Sequence, residues 1–317
     1  MSFASEAKNQ ICKEELNDQQ AKAQLCALFQ MRASLNMNRG GWYLSYQTEN
    51  ANIAKHVFQI VKRLYQVEPR LSVIKKMRLK KNNIYRIEVL AKATYILEDL
   101  MILTDKGLQV RPMRKMVASD TMARSYLQGC FLASGSINDP KTSNYHMEIS
   151  CQHESLAISV QKLMQRFHLP AKVVVRKNNY IVYLKAGDKI ADFLRLCNAS
   201  QALFEFEDSR IQRDFYNQLT RLDNCELANE MKTLKAAQKQ LDYIEVLEAN
   251  ASKVRIPEKI QHVIEIRKQF PDASMNDLCT EVYRTYGDVI SKSGMKHRLH
   301  KIKELALPFM EKEDNDA

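Results

Sequence analysis

The stretch Tyr126-Leu-Gln-Gly-Cys-Phe-Leu-Ala-Ser-Gly-Ser136 constrains this chain more than any other. It predicts a helix whose buried face is built from small residues. Gly129, Ala133 and Gly135 stand where a second helix can approach backbone to backbone, because positions without bulky side chains permit close contact. About one hundred residues earlier, Leu25-Cys-Ala-Leu-Phe-Gln-Met-Arg-Ala33 is a weaker copy of the same pattern. Two such helices packed on each other predict a duplicated fold.

The elements that follow each stretch recur in the same order. After the first small-residue helix come a strand over 41–47 and an amphipathic helix over 50–65, with Ile53, Val57, Ile60, Val61 and Leu64 at helical spacing. A hairpin over 70–77 and 84–90 follows, bent at Lys80-Lys-Asn-Asn83, and a helix over 91–103 closes the unit. The second unit predicts a strand over 143–151 and a helix over 154–167. Its hairpin covers 171–175 and 180–184, bent at Arg176-Lys-Asn-Asn179, and its last helix covers 188–197. Asn-Asn tolerates positive φ, which suits a tight turn. One shared tripeptide is weak by itself; the matched order of elements carries the case for duplication. The halves are about 1–104 and 120–207, within a first domain of 1–207, and 105–119 is the linker between them.

A chain of 317 residues accommodates two or three domains and a sizeable core. Its 48 Lys and Arg against 37 Asp and Glu leave a net charge of +11. That excess favours an anionic partner, of which nucleic acid is the commonest for a soluble protein; the bland alternative is a basic surface that is merely solvated. Seven cysteines, odd in number and without a Cys-x-x-Cys pair, fit reduced thiols rather than a disulfide framework. No His/Cys cluster has zinc-finger spacing, and neither a metal nor a cofactor is expected. The polar start Met1-Ser-Phe-Ala-Ser-Glu-Ala-Lys8 lacks a signal-peptide core, and no apolar stretch approaches bilayer-spanning length. The chain is expected in the cytoplasm, away from membranes.

From 208 to about 247 the sequence is polar, helical in pattern and free of Gly and Pro. It predicts one or two connecting helices, and 208–252 as a whole reads as a connector ending in a hinge at Ala249-Asn-Ala-Ser-Lys-Val-Arg255. Beyond it, 253–310 predicts three short helices. Pro257 opens the first, which runs to about 269 with Ile260, Val263, Ile264 and the stem of Arg267 inside, and Pro271 stops it. Ser274 caps a second helix over 275–286, with Asp277 completing an approximate capping box, and Gly287 ends it. Ser291 or Ser293 caps a third helix to about 307, whose buried stripe is Met295, Leu299, Ile302 and Leu305.

Two helices joined by a short Gly-containing turn form a helix-turn-helix pattern. On the third helix Lys292, Lys296, His297, Arg298, His300, Lys301 and Lys303 are left for the outer faces, and no acid appears before Glu304. Ser, Lys, His and Arg at a helix N-terminus suit phosphate contact and base-edge reading in a major groove. The candidate DNA-binding residues are Ser274, Ser291, Lys292, Ser293, Lys296, His297, Arg298, Lys301 and Lys303. A three-helix interaction module with a solvated basic face is the alternative. Lys75, Lys76, Arg78, Lys80 and Lys81 of the first hairpin form a secondary basic set. The acidic residues 311–317 read as a disordered tail.

The paired small-residue helices resemble the central pair of the LAGLIDADG homing endonucleases, in which each helix ends in an acidic residue that holds a catalytic metal. Arg32 and Ser134 stand at those two positions here. A hard cation such as magnesium needs carboxylate oxygens, so the resemblance implies an α+β, duplicated αββαββα scaffold with no catalytic residue, followed by the all-α helix-turn-helix domain. That combination resembles the WhiA family of DNA-binding regulators over nearly the whole chain. The likeness rests on Met1-Ser-Phe-Ala-Ser-Glu6, Lys76-Met-Arg-Leu-Lys-Lys-Asn-Asn83, Tyr126-Leu-Gln-Gly129, Phe206-Glu-Asp208, Asn224-Cys-Glu226, Ser291-Lys-Ser-Gly294 and His297-Arg-Leu299. It implies a transcription factor in cell division and chromosome segregation, or in sporulation in sporulating relatives. The implied partner is double-stranded DNA at the nucleoid, with no small-molecule substrate. The terminal domain is similar to the promoter-reading domain of sigma factors, which implies RNA polymerase or another transcription regulator as a further partner. Two competing readings stand beside this one. The first is a metal-dependent nuclease using other carboxylates, with Asp120 and Asp139 flanking the second motif; the second is a scaffold that binds protein rather than DNA.

Overall fold

The computed structural model describes residues 2–75, 83–142 and 144–313, the last three of these through their backbone alone. The chain divides into two compact units at Asp214. The first opens with α1 (Phe3–Ile11), capped by Ser2, and α2 (Asp18–Arg32), whose first turn is closed by a reciprocal capping box between Asn17 and Gln20. There follow β1 (Ala33–Asn38), β2 (Gly41–Thr48), α3 (Ala51–Tyr65), β3 (Arg70–Lys75), β4 (Asn83–Val89) and α4 (Ala93–Asp99). A small ladder, β5 (Leu103–Thr104) with β6 (Gly107–Leu108), and a 3-10 turn at Arg114–Val117 lead into the repeat. The repeat is α5 (Asp120–Ser134), β7 (Gly135–Ile137), β8 (Met147–Cys151), α6 (Glu154–Arg166), β9 (Lys172–Arg176), β10 (Asn179–Leu184) and α7 (Gly187–Leu196).

Each half is αββαββα, and the two antiparallel sheets have matching orders, β1-β2-β4-β3 and β7-β8-β10-β9. Leu44, Tyr46, Ile87 and Val89 of one sheet, and Ile149, Val182 and Leu184 of the other, are buried in the common core. The second hairpin turns at Lys177 and Asn178, with Lys177 at φ 53°, so the left-handed residue is the lysine rather than an asparagine. Nothing in the sequence marks β1 and β7. Each begins at the residue that caps the preceding helix, Ala33 or Gly135, both in extended conformation.

α2 and α5 meet along Gly129. A Cβ built there would lie 2.4 Å from the Gln24 carbonyl oxygen and 2.8 Å from Ala27 Cβ, so no side chain fits. Gly135, placed on the same face by the sequence, serves a different purpose. A Cβ at Gly135 would collide with Phe131 of its own helix, at 2.1 Å, so the missing side chain lets the strand leave α5 directly. Gln24 and Gln128 are fully buried in the seam. Gln24 Nε2 donates to Gln128 Oε1 at 3.1 Å, and His56 Nε2 of α3 lies 2.5 Å from Gln24 Oε1. Gln128 Nε2 donates to Glu14 Oε2 at 2.5 Å and to the Cys197 carbonyl at 3.0 Å. Buried amides are costly when unpaired, so this chain of bonds fixes the register of the two helices.

The unit boundary falls within α8 (Ser200–Ala249), a single 50-residue helix where one or two connecting helices were expected. The second unit holds the remainder of α8, a 3-10 turn at Ala251–Lys253, α9 (Glu258–Gln269), α10 (Met275–Tyr286) and α11 (Lys292–Glu313). Ile244 and Leu247 of α8 are buried with Ile260, Val263, Leu278, Met295 and Ile302. The end of α8 therefore belongs to the terminal core, and 249–255 is not a boundary between compact units. Arg267 is 2% exposed and donates to the carbonyls of Pro271 at 3.2 Å and Ala273 at 2.8 Å, pinning the turn after α9. α11 continues past 307 through Pro308, so 311–313 of the acidic tail are helical, and 314–317 lie outside the described residues.

Gly129→Ala is expected to destabilise the first unit by about 1–3 kcal/mol in denaturant unfolding, because the helix backbones must part to admit a methyl group. A second expectation concerns pH. Burial, with help from the Arg63 charge, pushes the His56 imidazole down to about 4, against a hydrogen bond donated to the Cys12 backbone that raises it. Between the ordinary imidazole range near 6.5 and about 4, the unfolded chain binds a proton that the folded unit refuses. Stability is thus expected to fall as pH drops through that window, by up to about 3 kcal/mol at its lower end. The slope should be shallower by one proton in His56→Gln.

Candidate nucleic-acid interface

α10 begins at a reciprocal capping box: the Asp277 amide donates to Ser274 Oγ at 3.3 Å, and the Ser274 amide donates to Asp277 Oδ2 at 3.1 Å. It ends at Gly287, whose φ of 67° turns the chain in the left-handed region that glycine reaches without strain. Five residues later α11 starts, capped by Ser291, whose Oγ accepts from the Gly294 amide at 3.2 Å. Ser291 rather than Ser293 is therefore the cap. α9, α10 and α11 enclose one core in which Leu278, Val282, Met295 and Leu299 interlock. This is a helix-turn-helix arrangement with α11 as its second helix.

On α11 the side chains sort by their partners. Lys292, Ser293, Lys296 and His297 are all exposed. At helical spacing Lys292, Lys296 and His300 form one line, and Ser293, His297 and Lys301 the next. Among the described residues no carboxylate lies within ion-pair distance of Lys292, Lys296 or His297. Lower down, Glu304 takes up Lys301 at 3.0 Å and His300 at 3.4 Å, and the Lys301 hydrogen bond holds the Glu304 carboxyl below its ordinary range. Lys303 is half-buried. Unneutralised positive charge is thus gathered on the first two turns, where the helix amides also point.

Two of the candidate residues stand elsewhere than expected. Arg298 is not on the outer face: its side chain is 16% exposed, and it donates to Asp288 Oδ2 at 2.6 Å and to the Lys259 carbonyl at 3.3 Å. It lies one turn from Met295 at the edge of the buried stripe, so its guanidinium ties α11 to the turn and to α9. The Arg298 hydrogen bond in turn holds the Asp288 carboxyl below the usual carboxylate range. Ser274 is half-buried, with its oxygen spent on the cap. Asp288, ten residues from Arg298 and next to Gly287, carries no local sequence signal of this pairing.

In the first unit, Arg32 and Ser134 occupy the adjacent ends of α2 and α5. Arg32 Nε donates to the Ala133 carbonyl at 3.2 Å, and Ser134 Oγ lies 3.7 Å from Met31 Sδ. Asp120 is at the opposite end of α5, paired with Arg166 at 2.5 Å, and Asp139 accepts from the Lys141 amide at 2.9 Å. Among the described residues no group of three or more His, Cys, Asp or Glu is arranged to hold a metal ion. Lys75, the last residue of β3, is exposed and shares its strand face with Leu71 and Val73. Lys76, Arg78, Lys80 and Lys81 lie outside the described residues. The opposite faces of the sheets mix signs: Arg70 stands across from Glu88, and Glu148 pairs with Arg176 at 3.3 Å and His146 at 2.9 Å.

Comparison with known proteins matches the chain in three parts. Residues 18–103 fit the family model described as the WhiA N-terminal LAGLIDADG-like domain, and residues 123–216 the WhiA LAGLIDADG-like domain. Residues 219–306 fit the WhiA C-terminal HTH domain, which begins inside α8 as the second compact unit does. The protein named probable cell division protein WhiA from Staphylococcus aureus strain JH9 is 43% identical over 306 residues, 96% of each chain, as is its counterpart from strain Newman. Among solved structures, full-length WhiA from Thermatoga maritima aligns over 98% of this chain and 99% of its own, with a TM-score of 0.58 at 19% identity. The N-terminal LAGLIDADG domain of WhiA aligns over 62% and 90%, with a TM-score of 0.50 at 16% identity. At these identities the likeness to the solved structures is one of fold.

The split between structural and unpaired cations is open to measurement. Arg298→Ala strips Asp288 of its partner and is expected to lower the melting temperature of the second unit. Lys296→Ala, which removes an exposed side chain with no partner among the described residues, is expected to leave thermal unfolding of the full chain where it was, within about 0.5 kcal/mol. Equal effects of the two replacements would contradict this placement.

Proposed function

The chain belongs to the WhiA family, and from that membership we propose that it is a non-enzymatic, sequence-specific DNA-binding regulator that meets double-stranded DNA through the first two turns of α11. The observation that carries the reading is the unpaired set Lys292, Lys296 and His297, exposed at the capped start of the second helix of a helix-turn-helix. A helix start presents amide donors and positive potential to phosphates, while side chains one turn in reach base edges. Ser291 acts as cap, Lys292 and Ser293 contact the backbone, and Lys296 and His297 read the groove. Lys301 and Lys303 contribute field rather than contacts, and Arg298 holds the helix in place. The basic first hairpin, from Lys75 through Lys76, Arg78, Lys80 and Lys81, adds phosphate contacts from the first unit; no acidic residue lies between 70 and 87.

The regulated process in this reading is transcription linked to cell division and chromosome segregation, in line with the names of the Staphylococcus aureus relatives. The LAGLIDADG-like unit is a scaffold without nuclease activity. Metal-assisted hydrolysis needs carboxylates that position the ion, and Arg32 and Ser134 stand at the two helix ends in their place.

The test is binding of the full chain to its best genomic site, identified by chromatin immunoprecipitation. Lys296→Ala is expected to weaken specific binding by about 1–3 kcal/mol, and Lys292→Ala to weaken binding to all sequences alike and lower the salt slope by about one. Unchanged affinity in both would refute the placement. The same duplex incubated with magnesium or manganese is expected to stay intact; cutting that is lost on replacing Asp120 or Asp139 would establish the nuclease instead.

A further inference from the structure

The ends of α2 and α5 open into a pocket of about 630 Å³ in the first unit. One wall is the first turn of α1, with Ser2 and Ser5; another is the stretch from Gln47 to Asn50; residues 132–136 form the floor. Among the described residues two cations line it. Arg32 spends its Nε on the Ala133 carbonyl, which leaves its Nη groups to the pocket. Lys8 is half-buried, its ammonium 5.4 Å from the centroid of the Phe131 ring, and among the described residues it has neither a carboxylate nor another hydrogen-bond acceptor. Burial, and then the Arg32 charge beside it, push the Lys8 ammonium down to about 8, so at neutral pH the fold carries a charge that its surroundings disfavour. Glu49 also lines the pocket.

Two adjacent cations facing a cavity, one of them half-buried and without an acceptor among the described residues, are matched by an anion. The hydroxyl donors are in place as well. Ser5 Oγ already accepts from Asn50 Nδ2 at 3.3 Å, which leaves its proton free to donate, and Ser134 borders the same space. The first turn of α1 adds the Phe3 and Ala4 amides, the Ser5 and Glu6 amides being taken by Ser2. Phosphate fits this donor set: it is compact, carries one negative charge as a diester and up to two as a monoester or free phosphate, and accepts hydrogen bonds on its non-bridging oxygens. We propose that the pocket is a phosphate site, taking one phosphate group between Lys8, Arg32 and the first turn of α1. The site is independent of the contacts made by α11, and its phosphate comes either from a free phosphate or mononucleotide or from a DNA backbone.

The experiment is thermal unfolding of the full chain in inorganic phosphate and in a deoxynucleoside monophosphate, against sodium chloride of equal ionic strength. Phosphate stabilises any fold to some degree by exclusion from its surface, so the readout is the difference between the native chain and Lys8→Met. The native chain is expected to gain melting temperature saturably, with an affinity at least tenfold above that of Lys8→Met, while Lys8→Met without ligand melts no lower than the native chain. Should Lys8→Met fail to fold, Arg32→Gln, at an exposed position, gives the same comparison. Retention of the phosphate effect under saturating duplex assigns the site to a free phosphate; its loss assigns it to the DNA backbone. Equal shifts in native and variant chains, or no saturable shift, would overturn the proposal.

Discussion

The contact between Gly129 and the backbone at Gln24 is the constraint from which the first unit follows. When Arg32 is set against Ser134, the counterpart of Gly129 in the first repeat is Ala27, and these two residues face each other across the seam. Alanine on one side is tolerated because the other side has no side chain; two methyl groups would start 2.8 Å apart. At such a separation the polar side chains in the seam cannot reach water. Gln24, Gln128 and His56 must therefore bond to one another and to Glu14, and that requirement sets the register of α2 against α5. Each sheet continues directly from the end of one of these helices, so the register of the seam is also the placement of the two sheets.

The same closeness brings two helix C-termini side by side, and with them two sets of unpaired carbonyls carrying partial negative charge. A site of that kind needs positive charge. In a metal-dependent enzyme a pair of carboxylates and a divalent ion occupy it, and here Arg32 caps the Ala133 carbonyl while Lys8 stands beside it. A guanidinium and a hydroxyl at the positions of the two carboxylates, with an ammonium beside them on α1, change the chemistry of the site while the scaffold is unaltered.

What was legible in the sequence was local. The small-residue helices, the order of elements and the Ser274–Asp277 capping box each depend on residues a few positions apart, as does the left-handed Gly287. What was not legible depended on partners brought together by folding. β1 and β7 start on helix caps with no Gly-Pro break to announce them. Ile244 and Leu247 join the terminal core from a helix that is otherwise polar, so the sequence suggested a connector where the structure has a structural helix of the domain. Arg298 had the right charge for a DNA-facing residue, but its position one turn from Met295 and the nearby Asp288 turn it inward. Lys8, outside every motif read from the sequence, becomes notable only once the ends of α2 and α5 are placed beside it.

In the second unit it is the acids, more than the bases, that determine which face is available to an anion. Asp288 claims Arg298, and Glu304 claims Lys301 and draws in His300, so the middle and end of α11 are internally compensated. Apart from the half-buried Lys303, the cations of α11 with no carboxylate within reach among the described residues lie on its first two turns. A net charge of +11 says that an anion is favoured somewhere on the chain; on α11 the positions of two carboxylates leave its uncompensated exposed cations at the start of the helix. Helix polarity acts in the same direction, because the unpaired amides are at that same end. Charge compensation and backbone geometry thus favour the same anion-facing surface, although neither was imposed by the other.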